Sequence, residues 1–148
     1  MPGIENDSTG KAGTEPSLLI VDDARMMRLK IERLAETAGW KRIIQTGDGV
    51  EAVQLYEKTP FNLVTMDIVM VGIDGLECLT RIRQLDPEAR VVMVSAINQK
   101  STLRNCIDAG ALDFIVKPFD ANRFTKFLAD QYTAAVDAIA QRSDESAR

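Results

Sequence analysis

The sequence predicts one α/β domain, a doubly wound five-stranded parallel sheet with helices on both faces. Three observations carry that prediction. At 148 residues the chain has the length of a single domain. From Leu18 onward, short apolar runs alternate with longer segments of helical period, which is the pattern of repeated strand–helix units. Each apolar run is nearly unbroken rather than alternating, as strands covered on both faces are.

The elements follow in order. Residues 1–16 are polar, rich in Gly, Ser, Thr and Pro, and read as a flexible tail before an ordered domain over 17–141. Leu18-Leu19-Ile20-Val21 is the first strand, and the next helix sets Met27, Ile31, Leu34, Ala35 and Ala38 on one face before Gly39 stops it. Ile43 and Ile44 mark the second strand. A short helix carries Val50, Val53 and Tyr56 until Thr59-Pro60 breaks it. Leu63 to Met66 is the third strand, followed by a loop and a helix from about Gly75 to Leu85 with Leu76, Leu79 and Ile82 inward. Val91 to Val94 is the fourth strand, and a helix with Leu103 and Ile107 ends at Gly110. Phe114-Ile115-Val116 is the fifth. The last helix has Asp120 as its N-cap and Phe124, Phe127, Leu128, Val136 and Ile139 on its apolar side. From Arg142 the chain is polar and reads as a fraying tail over 142–148. Right-handed crossovers then favour the flavodoxin-like strand order 2-1-3-4-5.

Composition removes whole classes of function. With no histidine, there is no His general base, no His metal ligand and no Ser-His-Asp triad. A net charge of −4 disfavours a phosphate backbone as direct partner. Apolar runs are far shorter than the roughly 20 residues of a membrane span, and no charged-then-apolar leader opens the chain, so a cytoplasmic protein is expected. Cys78 and Cys106 fall inside helical patterns and read as inert, reduced thiols. Met66, Met70 and Met93 read as core filler.

In a sheet of this kind, ligands bind outside the carboxyl ends of the strands. There the first strand runs into Asp22-Asp23, the third into Asp67, the fourth into Ser95 and the fifth into Lys117-Pro118. Converging carboxylates repel unless something neutralises them. A hard divalent cation with oxygen ligands does so, and Mg²⁺ suits a site that keeps several waters. Lys117 and Ser95 add a cation and a hydroxyl suited to an anionic oxygen. Together these are the parts of a phosphoryl-transfer site with a carboxylate nucleophile.

Four segments in order and spacing, LLIVDDARMMR, LVTMDIVMVGIDGLECL, VVMVSA and DAGALDFIVKPF, carry a family resemblance. From about Leu18 to Tyr132 the chain resembles the receiver domain of two-component response regulators, close to the stand-alone chemotaxis type. The resemblance implies that a histidine kinase phosphorylates Asp67. It implies that Asp22 and Asp23 hold Mg²⁺ with Asp67 and the backbone carbonyl of Val69. Ser95 is then the switch hydroxyl, Lys117 the ion-pair partner of the phosphoryl group, and Phe114 the switch aromatic. A cis bond is implied between Lys117 and Pro118. The protein is then no enzyme beyond its own phosphorylation and dephosphorylation. It is expected to control an effector protein through its fourth and fifth helices and fifth strand, as a monomer or weak dimer that touches neither nucleic acid nor membrane.

The chain departs from the family pattern at several positions. Val71 stands where the family usually has Pro, and Phe114 lacks the hydroxyl of the Tyr found in many chemotaxis-type members. Val69 and Ile97 are apolar where fast-cycling members are often polar, which implies a longer-lived acyl phosphate.

Other readings of the same residues are distinguishable. Asp22 and Asp23 alone could cap the first helix, and Phe114 could simply pack in the core. A haloacid-dehalogenase-like phosphatase needs a second Asp two residues after the nucleophile, where this chain has Val69. A flavodoxin needs a Ser/Thr/Gly-rich phosphate loop where this chain has Asp22-Asp23. A phosphorelay intermediate or a phosphorylation-independent interaction module are the alternative functions. Loss of Asp22, Asp23, Asp67, Ser95 or Lys117 would mark the second of these, and all five are present.

Overall fold

The computed structural model describes residues 14–147. Its elements are β1 (Ser17–Val21), α1 (Arg25–Ala38), β2 (Arg42–Thr46), α2 (Gly49–Lys58), β3 (Leu63–Met66), α3 (Gly75–Leu85), β4 (Val91–Ser95), α4 (Lys100–Asp108), β5 (Asp113–Val116) and α5 (Ala121–Ala147). The strands form one sheet in the order β2-β1-β3-β4-β5, and every pairing is parallel. Both the fold class and the strand order agree with the sequence expectation.

Two apolar layers sandwich the sheet because successive strand residues point to opposite faces. Leu19, Val21, Val64, Met66, Val91 and Met93 lie under α2, α3 and α4, packed with Leu79, Ile82 and Cys106. Leu18, Ile20, Leu63, Val92 and Val94 lie under α1 and α5, packed with Ile31, Ala35, Phe124 and Leu128. Met66, Met70 and Met93 are buried in the first layer, as filler would be.

Several details differ from the sequence reading. The three central strands are fully buried, but the edge strands β2 and β5 are half exposed, because one flank of each faces solvent. Ile107 and Val136 are exposed, and Cys106 and Ala135 take the inward positions instead. One residue is about 100° of helix, so a narrow contact strip rejects the neighbour of the residue it accepts. Val50 is likewise exposed, with Ala52 inward on α2. The helix expected to fray from Arg142 runs on to Ala147. Its second half is held by Ala135 and Ile139, which are buried. Of the tail expected over 1–16, residues 1–13 lie outside the described residues, and Pro16 is already buried.

The joint between α1 and β2 ties the two helices of one face together. Gly39 ends α1 at φ 117°, a left-handed conformation that glycine adopts without steric cost. A Cβ on Gly39 would meet the Tyr132 ring at 3.1 Å. Trp40 follows, stacks edge-on against Tyr132 at 5.4 Å, and donates its indole N–H to the Leu128 carbonyl at 2.9 Å.

Candidate functional site

The carboxyl ends of the strands are fixed by the sheet ladder itself. Asp22 N–H donates to the Thr46 carbonyl at 3.1 Å, and Asp67 N–H to the Val21 carbonyl at 2.9 Å. Lys117 N–H donates to the Ser95 carbonyl at 2.8 Å. Strand registration therefore brings Asp22, Asp67, Ser95 and Lys117 to one edge before any side chain interacts.

The side chains then converge. One carboxylate oxygen from each of Asp22, Asp23 and Asp67 lies within 4.8 Å of the others. Lys117 Nζ lies 2.8 Å from Asp22 Oδ2 and 3.3 Å from Asp67 Oδ2. Asp22 Oδ1 accepts from Ala24 N–H at 2.9 Å, and Asp67 Oδ1 from Ile68 N–H at 2.7 Å. Asp22 and Asp67 are buried while Asp23 is exposed, so the cluster opens to solvent on the Asp23 side. Among the described residues the three carboxylates share one ammonium, which leaves Asp23 without an ion pair. All the donors are hard oxygens, and a divalent cation of the Mg²⁺ or Ca²⁺ class fits that set.

Helix capping does not account for the acidic pair. The N-cap of α1 is Ala24, and no side chain caps that end. Capping is done elsewhere, by Asp48 on α2, Asp74 on α3 and Asp120 on α5.

The remaining predicted residues surround this cluster. Ser95 is buried, and its Oγ accepts from Ile97 N–H at 3.4 Å rather than touching the carboxylates. Phe114 is partly buried against the apolar layer under α2, α3 and α4. The Lys117–Pro118 peptide is cis. Val69 is 60% exposed in the loop after Asp67, with Val71 at 85%, whereas Ile97 packs partly on the core.

Two contacts lie outside what the sequence reading singled out. Gly75 opens α3 directly behind Asp67, and its N–H donates to the Ile68 carbonyl at 2.8 Å. The sequence marked it only as a helix start; its position immediately after the Asp74 cap was the available signal. Arg28 donates from Nη1 to the Asp22 carbonyl at 2.7 Å. It stands inside the first motif, yet nothing in its spacing singles it out.

The cysteines play no part here. Both are buried and free, and burial pushes the Cys78 thiol up to about 12 and raises that of Cys106. Among the described residues no helix is long and apolar enough to cross a membrane.

The chain is similar to several known proteins. The chemotaxis protein CheY of Bacillus subtilis is 44% identical over 106 residues, covering 72% of this chain and 88% of the relative. The chemotaxis protein CheY of Listeria monocytogenes is 42% identical over 111 residues, covering 75% and 93%. Among solved structures, the CheX-CheY-BeF3-Mg complex from Borrelia burgdorferi superposes with a TM-score of 0.73 at 32% identity, covering 82% of this chain and 92% of that one. The response regulator receiver domain model matches residues 18–129, which run from β1 into α5 and include every residue of the acidic cluster. With fold, strand order and these relatives in agreement, the chain belongs to the response regulator receiver domain family.

Proposed function

We propose that the cluster is a phosphoryl-accepting switch in which Asp67 takes a phosphoryl group from a histidine kinase. The observation that carries this reading is the Lys117 ammonium, held between Asp22 and Asp67 beside an acidic opening. An Asp67 carboxylate oxygen forms the new bond to phosphorus as the nitrogen–phosphorus bond of the donor imidazole breaks. Asp22, Asp23 and Asp67, with the Val69 carbonyl, would hold Mg²⁺, which supplies neutralisation of the charge on the transferred group. Lys117 stabilises the equatorial oxygens. Ser95 and Phe114 then respond, Ser95 by giving up its local bond to Ile97 and Phe114 by repacking.

The surface that passes the change onward is, in this reading, α4, β5 and the start of α5. A cavity of about 430 Å³ opens there, where Phe114, Phe119 and Phe124 meet the charged Asp113, Asp120 and Arg123. The Phe119 and Phe124 rings meet edge-on at 4.6 Å. An effector protein presenting an apolar side chain beside a charged one fits it, and the chain works in the cytoplasm beside its kinase. The Borrelia relative, seen with BeF3 and Mg in complex with CheX, supports this assignment by analogy.

Incubation with acetyl phosphate and Mg²⁺ tests the acceptor. One acid-stable, base-labile acyl phosphate per chain is expected, and none in Asp67→Asn or in excess EDTA. Equal labelling of Asp67→Asn and wild type refutes the assignment.

A further inference from the structure

The exposed carboxylate of the cluster is the one with least to hold it. Among the described residues, Asp23 has neither a hydrogen-bond nor an ion-pair partner for its side chain. Asp22, beside it, has all its polar groups engaged. Its N–H goes to Thr46, its Oδ1 accepts from Ala24, its Oδ2 from Lys117, and its carbonyl accepts from Arg28 Nη1 at 2.7 Å. That carbonyl belongs to the peptide joining Asp22 to Asp23, so whatever fixes it fixes the direction in which Asp23 leaves the strand.

Arg28 is itself anchored at a second point. Its Nε donates to Gln45 Oε1 at 3.2 Å, and the Gln45 amide donates to Glu32 Oε1. Two donors of one planar fork thus span from β2 to the end of β1, which a lysine ammonium cannot reproduce. Gly47 leaves the passage open. A Cβ there would lie 2.9 Å from Arg28 Nη1, and 3.4 Å from both the Asp22 carbonyl oxygen and Asp23 Cα. Gly47 is not among the glycines with positive φ, so the backbone does not require glycine; a Cβ there would instead displace the guanidinium, the movable end of a long side chain.

We propose that Arg28 is a positioning residue of the acidic centre, aiming the Asp23 carboxylate at a divalent cation through the Asp22 carbonyl, with Gly47 as the gap that admits its guanidinium. The inference rests on the metal-holding reading of Asp22, Asp23 and Asp67 given above. It predicts a sign that charge alone reverses. Removing a cation near three carboxylates strengthens the field on an incoming Mg²⁺, so pure electrostatics makes Arg28→Met bind Mg²⁺ more tightly. Loss of positioning makes it bind more weakly, and residues outside the ligand set that orient ligands are typically worth ten-fold or more in metal affinity.

Titration calorimetry of the full chain with MgCl₂, without any phosphodonor, decides between them. Wild type is expected to bind, and Asp23→Asn to lose most of that binding. Arg28→Met is expected to raise Kd about ten-fold. Gly47→Ala, which leaves every charge in place, is expected to raise Kd in the same direction, and Arg28→Lys to fall between wild type and Arg28→Met. A purely structural Arg28 would instead lower the melting temperature of the metal-free protein and leave Kd unchanged. If either variant fails to fold, Gln45→Leu removes the second anchor together with its Glu32 contact and leaves the bond to the Asp22 carbonyl, and about a three-fold rise in Kd, part of the ten-fold effect, is expected. An unchanged or lower Kd in Arg28→Met, or in Gln45→Leu where that variant stands in, overturns the inference. Wild type that binds no Mg²⁺ overturns the metal reading itself, and this inference with it.

Discussion

The Cβ that Gly75 lacks would sit 2.0 Å from the carbonyl oxygen of Asp67. The start of α3 thus presses directly on the backbone of the proposed acceptor, with a hydrogen bond from Gly75 N–H to the Ile68 carbonyl closing the contact. Both partners are main chain, so neither can swing aside as a flexible side chain could. Gly75→Ala is expected to cost about 3 kcal/mol, the upper end for forced overpacking. Urea unfolding reads the loss, and acetyl phosphate labelling should fall in the fraction that remains folded.

Lys117 neutralises two buried carboxylates, and removing it strands both. Lys117→Ala is expected to lower the stability of the metal-free protein by roughly 3 kcal/mol, the range for a buried pair that loses one member. Adding Asp22→Asn should return part of that loss, because the uncompensated charge goes with it. Lys117→Ala alone should still accept phosphate on Asp67. In amide NMR spectra its beryllofluoride-induced shifts should be smaller than those of wild type, because the cation that draws in the phosphoryl oxygens is missing.

The acyl phosphate should decay slowly. Hydrolysis needs a water in line with the bond from Asp67 to phosphorus, and neither Val69 nor Ile97 can orient one. Val69 is 60% exposed in the loop after Asp67, while Ile97 is partly packed on the core. The double variant Val69→Asn with Ile97→Glu is expected to shorten the half-life of the phosphorylated protein about ten-fold or more, the scale set by positioning a reactant. A half-life equal to that of wild type means the water path was already open.

Thiol chemistry should be silent in the folded protein. Cys78 and Cys106 are both buried with their thiol pKa raised by desolvation. An aromatic disulfide reagent at pH 8 should find no reactive thiol in the native chain and two after guanidinium is added. Burial pushes the Cys78 thiol up to about 12 in the folded chain, from an ordinary value of 9.0 when unfolded. The unfolded state therefore releases that proton first, and stability from this group, complete below pH 9, falls between pH 9 and 12. Cys78→Ala should flatten that alkaline limb.

Strand ends were the legible part of the site, because a parallel sheet forces them to one edge whatever the side chains do. Asp22, Asp67, Ser95 and Lys117 were placed by that rule alone, and the four motifs added order and spacing. The supporting contacts were not legible, since they run between backbone atoms and side chains distant in sequence. Nothing in the motif LLIVDDARMMR says that its last arginine turns back to the Asp22 carbonyl, or that Gly47, on another strand–helix loop, makes room for it. The inward positions on α4 and α5 are Cys106 and Ala135, each one residue before the Ile107 and Val136 that hydrophobicity picks out. Hydrophobicity ranks Ile above Cys and Val above Ala, whereas the narrow space against the sheet selects by position and size. The end of α5 was misjudged because its last turns are polar, while what docks the preceding turns is Ala135 and Ile139.

The joint at Trp40 gives the chain a built-in optical reporter. Trp40 is its single tryptophan, 1% exposed, and its indole N–H is held by a carbonyl of α5 while its ring meets Tyr132 on the same helix. Any event that lifts the middle of α5 from α1 must wet that indole and shift its emission to the red. Chemistry confined to the acidic edge need not disturb it. Fluorescence of the unlabelled protein therefore separates undocking of the last helix from events at Asp67, with no probe added.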